Sequence, residues 1–300
     1  MSEPAGELFE VRMDLPSDEL KEKSKRLVGF EDRYGRLQSQ FILLTETEKV
    51  KEWAVRNHGE GEVLSAVLTD RAPLVIFCGD VGTGKTTTAE ACADALSRHL
   101  KVEGFLLKLS TKVRGTGHVG EMSSLIGDAF DKAVELAGIH RFVALIIDEG
   151  DAVAFNRGAE RAHHEDRVGV NTLIQKIDMA RELNGRLMII LCTNRYGALD
   201  PAIIRRASLV EVFDRPGVEE RRQLFSITLS GVVVEKDELE KLIQATGPVG
   251  DHPGFTYSDI QTRLIPEAVG LAYPDRPLVA SDLLSAAEKV TASPVVFDGE

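Results

Sequence analysis

Short apolar runs alternate with longer amphipathic segments through the middle of the chain, from Leu74 to about residue 230. Each short run is apolar along almost its whole length, which is typical of a strand buried on both faces of a parallel sheet. The runs predict strands at 74–78, 105–109, 142–147, 187–192 and 209–213.

The segments between these runs repeat their apolar residues with helical spacing. They predict helices at 85–99, 121–137, 168–183 and 218–229. Strands that alternate with helices in this way are typical of an α/β protein, in which helices cover a parallel sheet. The pattern therefore predicts an α/β domain that occupies most of the chain.

The pattern changes after Ser230, where the strand signals mostly stop. Helices are predicted at 235–245, 257–271 and 280–290, with glycines and prolines between them. The first 27 residues are charged and are predicted to be an extended or single-helix arm. We therefore expect an N-terminal arm at 1–27, a large α/β domain at 28–230, a small helical domain at 231–293 and a tail at 294–300.

Composition and charge narrow the classes of function. The chain has 48 acidic and 36 basic residues and a net charge of -12, so it would repel a polyanion, and nucleic acid is not expected as its main substrate. Its apolar stretches are far shorter than the ~20 residues that cross a bilayer. The acidic N-terminus does not have the basic start and apolar run of a signal peptide. We expect a cytoplasmic protein with no membrane partner.

A glycine-rich segment directly follows the first predicted strand and precedes a helix, and it fits the phosphate-loop pattern G-x-x-x-x-G-K-[ST]. Its glycines allow successive backbone N–H groups to face phosphate oxygens, and the helix N-terminus adds partial positive charge. Lys85 would bridge the β- and γ-phosphates, and Thr86 would ligate Mg²⁺. A plain glycine turn would not need Lys-Thr at this place. The expected nucleotide-binding residues here are Gly79, Asp80, Val81, Gly82, Thr83, Gly84, Lys85, Thr86 and Thr87.

Two carboxylates, Asp148 and Glu149, end the predicted strand at 142–147. Beside a phosphate loop, Asp148 would hold Mg²⁺ through water. Glu149 would polarise the attacking water, which requires a carboxylate within hydrogen-bond reach. The alternative is an acidic turn that caps the next helix.

Polar residues also follow the fourth predicted strand. Asn194 would bind the γ-phosphate or the attacking water, although Asn is also common in plain turns. Arg205 and Arg206 follow a short predicted helix. They are either a solvated surface pair, or one of them reaches the γ-phosphate bound by a neighbouring subunit as an arginine finger. The sequence leaves both alternatives open.

These four motifs, followed by a small helical domain, resemble those of AAA+ ATPases over roughly residues 27–290. The resemblance implies a P-loop NTPase fold, with a three-layer parallel sheet and a C-terminal helical lid, that hydrolyses ATP with Mg²⁺ as a homohexameric ring. It also implies an adenine pocket around Val28 and Gly29, and a catalytic set of Lys85, Glu149, Asn194 and either Arg205 or Arg206. The usual second arginine of the family's L-R-P-G-R ending is replaced by Ser208.

Within the AAA+ proteins, the chain is similar to the HORMA-domain remodellers of the pachytene-checkpoint, or thyroid-receptor-interacting protein thirteen, type. The likeness is carried by residues 147–157, by residues 167–178 and by Arg206-Ala207. It implies a HORMA-domain partner, and short bacterial versions of this type accompany a nucleotidyltransferase in antiphage defence. The segment 254–259 replaces the usual G-x-S-G-R of sensor 2, and Arg263, one turn later, is the candidate substitute.

The same resemblance implies a substrate-gripping pore loop within 112–121. The aromatic-aliphatic pair of ring unfoldases would be His118-Val119 here, followed by Gly120. The alternative is a flexible glycine-rich surface loop without a grip.

The function expected from this resemblance is that of an ATP-hydrolysing hexameric remodeller, which engages a HORMA-domain protein through its pore loops and opens or disassembles it. One alternative is a nucleotide-switched loader or scaffold, but the charge of -12 and the Asp148-Glu149 pair argue against it. Another is a protease-linked unfoldase, but the chain contains no H-E-x-x-H motif for a fused protease.

Overall fold

The computed structural model describes residues 8–59, 62–114, 120–157 and 164–297. Within these ranges the centre is a six-stranded sheet. Its strands are Phe9–Leu15 (β1), Leu74–Gly79 (β2), Gly104–Leu109 (β3), Phe142–Ile147 (β4), Leu187–Thr193 (β5) and Leu209–Phe213 (β6). All five predicted strands are present, with bounds that differ from the predicted ones by at most one residue.

The sheet order is β1-β3-β4-β5-β2-β6, and every neighbouring pair except β1 and β3 is parallel. Every residue of β2, β4 and β5 is buried, as expected for strands with helices on both sides. Because these three parallel strands are adjacent, their carboxyl ends lie at one edge of the sheet. The predicted motifs after β2, β4 and β5 are thereby brought together.

The helices surround this sheet and form the C-terminal part. They are Asp18–Ser24 (α1), Phe30–Thr45 (α2), Thr47–His58 (α3), Glu62–Thr69 (α4), Lys85–Leu100 (α5), Glu121–Ala137 (α6), His164–Met179 (α7), Pro201–Ile204 (α8), Val218–Thr228 (α9), Lys236–Ala245 (α10), Ile265–Ala272 (α11) and Ala280–Lys289 (α12). The prediction at 257–271 is confirmed as helix, but with a π-helical stretch at Asp259–Leu264 before α11. None of the helices in the described ranges is long and apolar enough to cross a membrane.

The N-terminal segment differs from its prediction as an extended or single-helix arm. It contains both β1, which pairs antiparallel with β3, and α1. Leu15 and Leu20 anchor it, since each is only 2% exposed and both lie in a hydrophobic cluster together with residues of α2 and α5. The sequence did not reveal the strand because β1 carries its charged residues at exposed positions, as an edge strand does.

Three hydrophobic clusters form the core. Two contain sheet residues, and the third draws its fully buried members from residues 224–292. The third cluster is formed around Leu224, Phe255, Leu264 and Leu283, which come from α9, α12 and the segments between them. Val28 packs against this cluster, so the N-terminal segment contacts the helical part of the chain.

Candidate active site

A cavity of about 560 Å³ opens at the carboxyl edge of the sheet. Its walls come from the glycine-rich loop, from the ends of β4 and β5, from the segment before α2 and from the helical part at 257–262. Of the predicted site residues, those that line it are Val28, Val81, Gly82, Thr83, Gly84, Lys85, Thr86, Thr87, Asp148, Glu149 and Asn194. Gly29 is not in the lining and instead begins α2 with a φ of 69°.

The loop between β2 and α5 has the conformation that phosphate binding requires. Gly82 has a φ of 76°, and a Cβ there would lie 2.7 Å from Cβ of Ser258. A Cβ on Gly79 would lie 2.2 Å from the carbonyl oxygen of Phe213. These glycines therefore allow the backbone to approach both the neighbouring strand and the helical part, while α5 begins directly after the loop and its first residues line the cavity.

Lys85 is 7% exposed, and its ammonium donates to two loop carbonyls. The distances are 2.9 Å to Gly79 O and 2.7 Å to Asp80 O. Burial lowers the pKa of Lys85 from its usual value, although neighbouring acidic groups act in the opposite direction. Among the described residues, the hydrogen-bond partners of this buried ammonium are two neutral carbonyls, which fits a site for an anionic phosphate.

The donor set beside Lys85 fits Mg²⁺. Thr86 Oγ1 lies 3.0 Å from each carboxylate oxygen of Asp148, so a hydroxyl and a carboxylate converge at one point of the cavity. These are the hard oxygen ligands that Mg²⁺ prefers, together with water and substrate phosphates. Lys108 Nζ also contacts this carboxylate, at 3.1 Å.

Glu149 is exposed in the cavity and has a left-handed backbone conformation, with φ 49° and ψ 45°. Such a conformation costs a non-glycine residue of order 1–3 kcal/mol, and it is characteristically found at functional sites. The Glu149 N–H donates to Asp148 Oδ1 at 3.0 Å, which ties the two acidic residues together. Asn194 lines the same cavity from the end of β5.

The side chain of Asp80 lies outside the cavity. Its carboxylate is 6% exposed, lies outside the cavity lining and accepts hydrogen bonds from Arg215 and from the backbone amides of Val296 and Phe297. The buried guanidinium of Arg215 needs a carboxylate partner, and this draws the side chain away from the cavity. Only the backbone of Asp80 remains part of the phosphate loop.

Arg263 is likewise not in the cavity lining, in contrast to the sensor 2 prediction. It pairs with Asp259, a carboxylate only 1% exposed, at 3.1 Å. Ser258, Gln261 and Thr262 line the cavity from the same helical stretch instead. The prediction did not take account of Asp259, whose burial favours a cationic partner.

Arg205 and Arg206 lie outside the cavity and differ from each other. Arg206 binds Asp178 through Nε and Nη2, both at 2.8 Å. Arg205 is exposed and, within the described part of the chain, its side chain has no hydrogen-bond or ion-pair partner. It lines an open groove together with Arg157 and Arg167. Neither arginine reaches the nucleotide cavity of its own subunit, so a role at a phosphate would have to be in a neighbouring one.

The predicted pore-loop residues His118 and Val119 lie outside the described residues. Gly120 is described, with a φ of 80°, and directly precedes α6.

Several residues at the site were not identified from the sequence. Lys23 and Arg26 line the cavity from the N-terminal segment, and Gln261 lines it from the helical part. Lys108 joins Glu10 to Asp148. The only signal for Lys108 was its position as the single charged residue in an otherwise apolar strand.

The sequence profile of the AAA family, described as ATPase family associated with various cellular activities, matches residues 75–215. Two relatives, both named CD-NTase-associated protein 6, come from Escherichia coli. The one from strain KTE188 is 44% identical over 97% of this chain and 98% of its own length. The one from strain MS 115-1 is 38% identical over 97% of each chain.

Two solved structures are also similar. A chain in the structure of the E. coli MS115-1 HORMA:CdnC:Trip13 complex has a TM-score of 0.90 and 38% identity, covering 98% of this chain and 99% of its own. The structure of Rhizobiales Trip13 has a TM-score of 0.73 and 34% identity, covering 96% of this chain and 100% of its own.

Proposed function

The chain belongs to the AAA family of ATPases, in its Trip13 type, and we propose that it hydrolyses ATP to ADP and phosphate in order to remodel a HORMA-domain protein. The observation that carries the ATPase proposal is the convergence of Lys85, Thr86, Asp148 and Glu149 in one cavity, with Thr86 Oγ1 3.0 Å from both Asp148 oxygens. A loop that only turned the chain would need none of these groups.

The proposed reaction assigns a task to each of these side chains. Lys85 leaves the carbonyls of Gly79 and Asp80 and binds the β- and γ-phosphates. Glu149 accepts a proton from the water that attacks the γ-phosphorus, as the bond to the β-phosphate oxygen breaks. Asn194 orients that water or the γ-phosphate. Mg²⁺, when held by Thr86 and through water by Asp148, neutralises the phosphate charge.

We propose a homohexamer as the active form, because the arginines at 205 and 206 are outside the cavity of their own subunit. An arginine from the next subunit would complete the charge stabilisation, and such residues contribute about 10³–10⁵ to the rate in related phosphoryl transfers. Both arginines stay candidates. The exposed Arg205 side chain would contact a neighbouring subunit without breaking an ion pair, whereas Arg206 would first have to break its ion pair with Asp178.

The HORMA partner is proposed from similarity to the Trip13 chain type. The solved structure with a TM-score of 0.90 is a HORMA:CdnC:Trip13 complex, and the similarity covers almost the whole of both chains. By the same likeness we propose an antiphage role in the bacterial cytoplasm. The proposed grip on the partner is His118-Val119-Gly120, which lies between β3 and α6.

We also propose that residues 28–230 work as the ATPase domain and 231–293 as its lid, which agrees with the separate hydrophobic cluster at 224–292.

The proposed function can be tested with a hydrolysis-blocked ring. Glu149→Gln should bind ATP, stop hydrolysis and retain a HORMA-domain protein in a pulldown with ATP. The matched control is Glu135→Gln on the exposed surface of α6, which should turn over normally and release the partner. Retention of a replicative helicase or of a peptidase instead would favour the loader or the protease-linked alternative.

A further inference from the structure

Lys108 connects the catalytic edge of the sheet to its antiparallel edge strand. Its ammonium lies 2.8 Å from Glu10 Oε1 on β1 and 3.1 Å from Asp148 Oδ2 at the end of β4. The side chain of Lys108 is 17% exposed, whereas those of Glu10 and Asp148 are 37% and 27% exposed, so the ammonium is the least exposed member of this shared ion pair. Two carboxylates therefore share the ammonium of Lys108, and of these two only Asp148 belongs to the proposed Mg²⁺ site.

Lys108 also lies near the end of β3, the strand that precedes the proposed pore loop. Lys108 pairs with Val11 of β1 on one side and with Ile146 of β4 on the other. One residue further, β3 ends, and the chain continues through the turn Thr111–Arg114 toward the proposed pore loop. The side chain that contacts Asp148 is therefore on the strand that leads directly to that loop.

The charge of Lys108 opposes a divalent cation at Asp148. A lysine ammonium is positively charged at neutral pH, and this one lies within ion-pair distance of both Glu10 Oε1 and Asp148 Oδ2. A fixed positive charge about 3 Å from a carboxylate competes electrostatically with Mg²⁺ for it. Glu10 draws the same ammonium in the opposite direction and so weakens this competition.

We propose that Lys108 is a positioning residue for Asp148, and that Glu10 sets how strongly Lys108 competes with Mg²⁺ for that carboxylate. The proposal rests on the proposed function, since it assumes that Asp148 serves Mg²⁺. It assigns β1 a role at the active site, because Glu10 is supplied by that strand.

The proposal predicts shifts of opposite sign from two substitutions. Lys108→Met removes the competing charge, so the Mg²⁺ concentration that half-saturates nucleotide binding should fall by about threefold to tenfold. Glu10→Gln removes the second carboxylate, so the ammonium of Lys108 forms an ion pair with Asp148 alone. The Mg²⁺ concentration that half-saturates nucleotide binding should then rise by about threefold. Simple loosening of the β1-β3-β4 contacts would weaken Mg²⁺-dependent binding in both variants.

The test is a Mg²⁺ titration of the full chain with a fluorescent, non-hydrolysable ATP analogue, so the readout is binding and not turnover. Lys132→Met and Glu135→Gln are the matched controls, because these residues form an ion pair on the surface of α6 and should shift nothing. Lys108→Arg should stay within about twofold of the unsubstituted chain, since it keeps the charge.

Opposite shifts in Lys108→Met and Glu10→Gln would support the proposal. Shifts of the same sign, or shifts no larger than those of the controls, would overturn it. If Lys108→Met does not fold, Lys108→Gln takes its place, because it also removes the charge, and the same opposite shifts are required. Failure of the proposed function is seen separately, as absence of Mg²⁺-dependent nucleotide binding in the unsubstituted chain.

Discussion

Asp80 in the phosphate loop and Arg215 after β6 form a buried ion pair, with Arg215 Nε 2.8 Å from Asp80 Oδ2. Arg215 also donates to Gly254 O in the helical part at 2.7 Å, and Asp80 Oδ1 accepts the amides of Val296 and Phe297 at 2.7 and 3.0 Å. The pair therefore joins the loop, the helical part and the C-terminal segment. Lys85 also donates to the backbone carbonyl of Asp80. We therefore expect a movement of Lys85 on phosphate binding to alter the contacts that Asp80 makes with Arg215 and the C-terminal segment.

Asp80→Asn should destabilise the protein, because it leaves the buried Arg215 guanidinium without a carboxylate. Loss of one partner of a buried pair costs about 3 kcal/mol, so the unfolding temperature should drop clearly. Hydrogen exchange of the Val296 and Phe297 amides should also accelerate. Asp18→Asn is the control: Asp18 pairs with Arg98 but is 96% exposed, so neither measurement should change. Unchanged amide exchange in Asp80→Asn would contradict this account of the C-terminal segment.

Stability should decrease at low pH in a way that depends on Asp80. Burial alone would raise the pKa of Asp80, but hydrogen bonds from Val296, Arg215 and Phe297 together lower it. The folded state then binds fewer protons than the unfolded state, so this contribution is complete above a pH of about 4 and is lost as pH falls below it. The free energy of unfolding, measured from pH 7 to 3, should fall less steeply in Asp80→Asn. Identical slopes would argue against the contribution.

Gly82→Ala should impair both stability and nucleotide binding. The added methyl group would lie 2.7 Å from Ser258 Cβ, and the backbone φ of 76° disfavours any side chain. A loss of about 1–3 kcal/mol in the free energy of unfolding is expected, along with weaker binding of ATP in a titration. Gly35→Ala in α2 is the control, since a Cβ there meets nothing within 4 Å, and it should be neutral or slightly stabilising. Normal ATP binding in Gly82→Ala would contradict the close loop contact.

Arg205→Ala and Arg206→Ala should differ in their effect on stability. Arg206 donates two hydrogen bonds to Asp178, so Arg206→Ala should reduce the free energy of unfolding by about 1 kcal/mol. The unfolding temperature should then fall by about 2 to 4 °C. Arg205→Ala should leave this temperature unchanged, because Arg205 is exposed. Phosphate release by rings that mix each variant with Glu149→Gln subunits then identifies the arginine that acts in trans. If both variants retained full turnover in the ring, neither would be a finger.

The sequence pattern predicted the central sheet well because β2, β4 and β5 are apolar throughout, and buried parallel strands leave that signature. It also predicted that Lys85, Asp148 and Asn194 would meet, because residues at the ends of adjacent parallel strands must lie at one edge. It missed β1, because this edge strand has charged residues at its exposed positions.

Two predicted site residues have side chains outside the cavity lining for a common physical reason. Asp80 and Arg263 are close in sequence to motif positions, but their side chains are drawn away by Arg215 and Asp259. Such partners are far apart in sequence or depend on burial, so the direction of a side chain does not follow from a motif. Lys108 shows the converse, since a charge within an apolar strand became informative only when its neighbours Glu10 and Asp148 were known.

The most direct test of the central claim is phosphate release from ATP with Mg²⁺, measured for the unsubstituted chain and for Glu149→Gln together with ATP affinity. The account predicts turnover by the unsubstituted chain and a rate at least about 100-fold lower in Glu149→Gln, with ATP affinity kept within about twofold. Turnover of Glu149→Gln at the unsubstituted rate, or no turnover by the unsubstituted ring, would contradict it.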